Sequence, residues 1–381
     1  MTGYFSFIQQ IEVKIIERLL KTEVLICIRT IIKQKKQSNR RQDGKMAEKF
    51  TLNDTLNDIL ANERVCKKID YIFNPIYYQN IKPMFRKMKL KNMIRFVKTP
   101  WGRPFPAEGF LRCANFLVER REAGEKISIP IWRGLPDEQM KELEKVVLVP
   151  FTKVDWENAP CVIICPGGSY SRVAFHNEGI PVAQKLCEMG CQTFILNYRV
   201  YPDIYPAPLQ DVTRAIRFVR KNYEKLGIDP ENVTLMGFSA GGHLCALAGA
   251  LYDCMEDETH RYDDVSARPD KLCLCYPLVS LTEYAHEDSI KNFMKENCSE
   301  DEKKALSVQL IADENYPKTF VWACEDDPVV DYHNSILLEE TLKKKNVSHL
   351  CRLYPQGGHG IGLGEGTSAG GWIEEAMTFL K

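Results

Sequence analysis

From about Gly124 onward the chain alternates short apolar runs with longer stretches in which apolar residues recur at helical spacing. The runs predict strands over residues 126–132, 145–150, 161–165, 193–197, 232–236, 271–276, 319–323 and 349–354. The longer stretches predict helices near 179–189, 208–226, 240–252, 334–345 and 371–380. Strands alternating with helices of this length build βαβ units, so the expected fold class is α/β, a mainly parallel eight-stranded sheet flanked by helices. In such sheets functional side chains gather beyond the carboxyl ends of the strands. The polar segments that follow each apolar run are therefore the places to look for chemistry.

Upstream the texture differs. Residues 51–98 read as mostly helical, with Asn53, Asp54 and Thr55 available as caps before Leu56, Ile59 and Leu60. Residues 46–123 are expected to form a helical cap or packing module, and 124–381 the α/β domain that carries the chemistry sought below. The first 45 residues intersperse apolar positions with Glu12, Lys14, Glu17, Arg18, Lys21, Glu23 and Arg29, too often for a membrane span, and no small-residue cleavage site follows a short apolar core. They read as an N-terminal extension that ends in a polar, basic linker, with Met46 as the expected natural start; mass spectrometry of the native N-terminus decides this.

Composition narrows the function classes. The 381 residues carry 51 Lys+Arg and 51 Asp+Glu, so no overall field favours nucleic acid or an anionic membrane. Locally the charges separate: no acid occurs between Tyr71 and Ala107, and residues 251–330 are acid-rich, which reads as two solvated faces. Many of the fourteen cysteines fall inside apolar runs such as Cys161–Cys165 and read as reduced core thiols, implying a cytoplasmic protein. Without a CxxC pair or histidines at zinc-like spacing, neither a metal nor another cofactor is expected.

The strongest chemical signal is Gly237-Phe-Ser-Ala-Gly241, between a predicted strand and a predicted helix. Gly-x-Ser-x-Gly in that context makes a nucleophile elbow, in which Ser239 projects from a sharp turn at a helix N-terminus. A serine nucleophile requires a base and an acid. Downstream, a strand runs into Cys324-Glu-Asp-Asp-Pro-Val329, and the next runs into Pro355-Gln-Gly-Gly-His-Gly360. His359 is the candidate base and Asp326 or Asp327 the acid, in the order Ser…Asp…His. His243, one helical turn after Ser239, reads as scaffold, and His176 either borders the pocket or lies on the surface. Developing negative charge needs backbone N–H groups; Gly167 and Gly168, which follow the 161–165 strand, and Ala240 are the candidates. Tyr170, Phe175, Tyr201 and Phe238 are the candidate pocket walls.

At these residues the chain resembles the α/β-hydrolase superfamily, in the esterase and lipase branch related to bacterial acetyl esterases and acetyl xylan esterases. The resemblance covers roughly residues 126–381 and rests on Pro166-Gly-Gly-Ser-Tyr170, Asn197-Tyr-Arg199 with Pro206–Asp211, Gly237–His243, Glu325–Val330 and Gly357–Gly360. It implies an α/β-hydrolase fold with Ser239 as nucleophile and His359 as base. It also selects Asp327, because the acid in relatives commonly stands directly before a Pro-Val or similar pair. The chain departs from the family where Pro166-Gly-Gly-Ser169 replaces the His-Gly-Gly-Gly of many relatives.

The expected function is a serine carboxylic-ester hydrolase working through an acyl-enzyme on a small-molecule ester. The resemblance implies small acyl groups, such as acetyl on sugars or xylo-oligosaccharides. A peptidase or amidase with the same triad, and a non-catalytic binding protein on a hydrolase fold, are the alternatives; amide turnover without ester turnover would mark the first, and absence of fluorophosphonate labelling the second.

Overall fold

The computed structural model describes residues 49–99, 102–132, 136, 138, 143–255 and 259–381. The expectations for residues 1–45 and for Met46 lie outside them. The strands are β1 (Ile129–Pro130), β2 (Val147–Phe151), β3 (Ala159–Cys165), β4 (Gln192–Asn197), β5 (Ile228–Phe238), β6 (Lys271–Cys275), β7 (Lys318–Cys324) and β8 (His349–Tyr354). They form one eight-stranded sheet in the order β1-β2-β4-β3-β5-β6-β7-β8. β4, β3, β5, β6, β7 and β8 are mutually parallel, whereas β2 is antiparallel to β4 and β1 antiparallel to β2. Each strand overlaps its predicted segment. The first shrinks to two residues, and β5 extends four residues further toward its start than predicted.

Every residue of β2 is buried, as are the last six of β5, and β6 and β7 are buried except at Lys271 and Lys318. Burial on both faces explains why these strands read as largely apolar runs without regular polar alternation. The cover comes from α4 (Ile180–Glu188) on β4, α5 (Ala207–Lys221) on β5, α6 (Ala240–Leu251) on β5 and β6, and α7 (His333–Lys344) on β8, with α8 (Trp372–Phe379) closing the chain. Shorter helices between β6 and β7, Glu287–Phe293 and Glu300–Ala305, fall where no element was predicted.

Polar residues on α5 lock it in place. Asp211 is fully buried and accepts from Arg199 Nη2 at 2.9 Å and from Trp132 Nε1 at 2.7 Å. Burial pushes its carboxyl up, and Arg199 opposes that shift. Arg220 likewise bonds Asp270 at 2.7 Å. The Asn197–Arg199 and Pro206–Asp211 segments thus meet as a structural ion pair.

The upstream segment is helical in short pieces: α1 (Leu56–Ala61), closed by a Thr55/Asp58 capping box, and α2 (Leu90–Phe96). Its longest helix, α3 (Ala107–Glu122), begins beyond the 51–98 stretch read as helical. α3 buries an apolar stripe at Phe110, Leu111, Ala114, Leu117 and Val118 and, on the adjoining flank, Cys113 and Phe116. Phe116 stacks on Phe151 of β2 with ring centroids 5.2 Å apart, and Phe110 meets Phe73 at 5.0 Å. Residues Lys49–Lys381 form a single compact unit.

Candidate active site

Register brings the candidate groups together. Cys165 pairs with Gly237, so the turns that follow β3 and β5 emerge side by side, and Cys324 pairs with Tyr354, so those that follow β7 and β8 do the same. Ser239 sits between β5 and α6 at φ 54° and ψ −122°. A non-glycine residue at such angles is strained, and the neighbours hold it there. Its N–H donates to Cys275 O at 3.0 Å, and its carbonyl accepts from His243 N at 3.1 Å and Leu278 N at 3.2 Å. A Cβ on Gly241 would collide with the carbonyl oxygens of Cys165 and Pro166, and one on Gly237 would meet the Gly241 carbonyl carbon at 2.7 Å. Both glycines are required because the elbow packs backbone against backbone.

Ser239 Oγ lies 2.8 Å from His359 Nε2, and His359 Nδ1 lies 2.7 Å from Asp327 Oδ2. The Asp327 carboxylate is completely buried, and its other oxygen accepts from the amides of Val329 and Val330 at 2.8 and 3.0 Å. With Nδ1–H donating to the carboxylate, Nε2 is the acceptor that faces the serine hydroxyl. Asp326 points elsewhere: its Oδ1 accepts from Gly357 N at 2.9 Å and Gly358 N at 2.8 Å, bracing the loop that presents His359. Gly358 and Gly360 flank the histidine at φ 70° and 73°, left-handed angles that the two glycines accept without strain. Such a serine–imidazole–carboxylate chain can move the hydroxyl proton to the ring as the oxygen attacks, and can hold the resulting positive charge against a buried negative one.

The anion-binding side differs from expectation at Gly167. Its N–H donates to Glu178 Oε2 at 2.7 Å and is therefore not available to an incoming oxyanion. Among the described residues no acceptor is bonded to the amides of Gly168 or Ala240, which leaves those two as donors.

The pocket walls need a larger correction. Tyr170, Phe175 and Phe238 are fully buried. Tyr170 stacks on Phe293 at 4.3 Å and bonds His243; Phe238 packs against Tyr276 and Trp372. All three are core residues, because the helices that close over the strand ends take up the aromatic faces. Only Tyr201 reaches solvent, at 58% exposure.

His243 has both nitrogens satisfied, Nδ1 by Tyr170 Oη at 2.8 Å and Nε2 by Leu306 O at 2.9 Å. Burial pushes it down to about 4 from its ordinary 6.5. The folded protein therefore refuses a proton that the unfolded chain accepts as pH falls through 6.5, and the stability tied to the neutral ring is lost between pH 6.5 and about 4. His243→Gln removes this linkage. Measured by urea denaturation, the stability gap between wild type and variant should shrink by about 3 kcal/mol from pH 7 to pH 4. His176 packs against the upstream segment, with Phe73 and Tyr77 rings at 5.6 and 6.0 Å and Gly109 of α3 against its ring.

Glu178 was not anticipated from sequence. In Asn177-Glu-Gly-Ile-Pro181 it reads as an acid at a helix start, and nothing local reveals that it is buried. Among the described residues no cluster of three or more His, Cys, Asp or Glu is placed to hold a metal ion, and no helix is long and apolar enough to cross a membrane.

The BD-FAE family model matches residues 150–342, just over half of the chain. The chain is 33% identical over 216 residues to endo-1,4-beta-xylanase B of Butyrivibrio fibrisolvens, covering 56% of this chain and 34% of that protein. It is 29% identical over 212 residues to an acetylxylan esterase of Xylanibacter ruminicola, covering 53% of this chain and 41% of that one. It thus spans well under half the length of either. Among solved structures, an acetyl ester-xyloside bifunctional hydrolase from Caldicellulosiruptor lactoaceticus superposes with a TM-score of 0.58 at 38% identity, over 66% of this chain and 92% of that one. The strand order, the family match over the segment that carries Ser239 and Asp327, and the near-complete coverage of that solved relative place this chain in the BD-FAE family, on the α/β-hydrolase fold.

Proposed function

We propose that this protein is a serine carboxylic-ester hydrolase that removes small acyl groups, with acetyl esters of sugars or xylo-oligosaccharides as its substrate class. The observation that carries the reading is the hydrogen-bonded run Asp327–His359–Ser239 at the carboxyl ends of β7, β8 and β5. The substrate class rests on the names of the relatives, an acetylxylan esterase and an acetyl ester-xyloside hydrolase.

In the proposed reaction Ser239 Oγ attacks the ester carbonyl while His359 Nε2 takes its proton. The amides of Gly168 and Ala240 receive the oxyanion, and Ala240 N–H, at the first residue of α6, adds the positive end of that helix. His359 returns the proton to the departing alcohol, and the acyl-enzyme forms. The ring then takes a proton from water as its oxygen attacks the acyl carbonyl, and returns that proton to Ser239 Oγ as the acyl–oxygen bond breaks and the carboxylic acid leaves.

A series of 4-nitrophenyl esters from acetate to octanoate, run beside acetylated xylo-oligosaccharides, tests the substrate class. The highest kcat/KM is expected for acetate, with acetate released from the oligosaccharides. Preference for long chains or for amides would overturn it.

A further inference from the structure

Glu178 lies outside the proposed triad, yet its carboxylate joins the two loops that the reaction needs. It sits in a single π-helical turn, Phe175–Gly179, and is 3% exposed; such turns are rare and recur at functional sites. Oε2 accepts from Gly167 N at 2.7 Å, and Oε1 accepts from Tyr276 Oη at 3.1 Å. Tyr276 Oη in turn accepts from Gly362 N at 3.1 Å, and its ring packs edge-on against His359 with centroids 4.9 Å apart. The neighbouring Asn177 donates through Nδ2 to Gly360 O at 2.7 Å. One turn of chain thus grips the Gly167–Gly168 loop on one side and the 359–362 loop on the other.

The fit is close. A Cβ on Gly167 would lie 2.8 Å from Ser239 Cβ and 2.9 Å from Glu178 Oε2, so the Gly167 backbone is clamped between nucleophile and carboxylate. Holding the Gly167 N–H fixes the peptide that precedes Gly167, and Ala174 N, at the start of the same turn, donates to Gly167 O at 3.0 Å and so holds the next peptide, which carries the Gly168 amide. Tyr276 is held at φ 37°, an angle costly for a bulky residue, which marks its position as enforced by its surroundings. Burial pushes the Glu178 carboxyl up, while His359, the Gly167 amide, Tyr276 and Arg172 oppose that shift. Both oxygens act as acceptors, as an ionised carboxylate requires.

We propose that Glu178 is a positioning residue that sets the oxyanion-side loop and the histidine loop together around Ser239. The idea rests on the esterase reading for its kinetic consequences but not for its structural ones, so the test has two readouts on the full-length protein. Hydrogen exchange followed by mass spectrometry reads the loops without any substrate. Glu178→Ala should release protection in both the 166–170 and the 357–363 segments, whereas Tyr276→Phe should release only the second. Unchanged protection of both loops in Glu178→Ala overturns the proposal whether or not the protein is an esterase. Kinetically, Glu178→Ala should lower kcat about 100-fold, the scale of a lost oxyanion donor, with KM moved less than about 3-fold. Glu178→Gln, which keeps an acceptor for Gly167 N and a polar contact to Tyr276, should recover to within about 10-fold of wild type. Loss confined to KM, or a glutamine variant as slow as alanine, overturns the positioning role. If the alanine variant does not fold, Tyr276→Phe decides: a fall in kcat of about 10-fold at constant KM supports the link, and wild-type kcat refutes it. Absence of ester turnover in the wild type would remove the esterase reading while leaving the exchange result to judge Glu178.

Discussion

Ser239→Ala is expected to lower kcat by about 10⁵-fold or more and to abolish fluorophosphonate labelling, with the melting temperature unchanged or raised. The variant loses the only atom able to form the acyl bond in the proposed reaction, and His359 is left without a hydroxyl to deprotonate. Such a loss corresponds to about 7 kcal/mol of transition-state stabilisation. Stability should not suffer, because the elbow is held by backbone bonds, from Ser239 N to Cys275 O and from His243 N and Leu278 N to Ser239 O, which alanine keeps. Active-site titration with a fluorophosphonate, beside initial rates on 4-nitrophenyl acetate, measures both effects. Ester turnover that persists at wild-type rate in the variant would remove Ser239 from the mechanism.

The second large effect separates the two adjacent acids. Asp327→Asn should cost about 10⁴-fold in kcat, whereas Asp326→Asn should cost less than about 10-fold. An asparagine at 327 still accepts from the Val329 and Val330 amides, so the loop stands. Its NH₂ group, however, faces His359 Nδ1 and forces the ring proton onto Nε2, the nitrogen 2.8 Å from Ser239 Oγ. The ring then cannot take the hydroxyl proton, and no buried negative charge supports it. At 326 the amide oxygen keeps both bonds to Gly357 N and Gly358 N, so the histidine loop retains its course. Steady-state kinetics of the two variants, with melting curves to exclude unfolding, tests the pair; a larger loss at 326 reverses the assignment.

Much of this was legible along the chain because it is encoded locally. Strands buried on both faces write themselves as apolar runs, and each of the eight overlaps its predicted segment. Gly237 and Gly241 announce the elbow because strand and helix approach too closely there for any Cβ. His359 announces itself through flanking glycines at left-handed angles. His243 was readable as scaffold from its place one turn into the helix. The helix at 107–122 lies within residues 46–123, expected as a helical module, and its apolar spacing at Phe110, Leu111, Ala114, Leu117 and Val118 is legible in the chain, although helical spacing was assigned only over 51–98.

What the chain pattern by itself determined, then, were the elements, their order and the residue types at the strand ends, since these follow from spacing within a few residues. Only the tertiary structure decided which groups are free to act. Hydrogen bonds between residues distant in sequence take Gly167 N–H out of the oxyanion set and commit Asp326 to a loop. Packing buries Tyr170, Phe175 and Phe238, and it turns Glu178 from a residue at a helix start into a carboxylate beside the nucleophile. Burial and hydrogen-bond partnership belong to the whole packed molecule: a donor or an aromatic face can be used only once, and which neighbour claims it is settled when the sheet and its helices close around it.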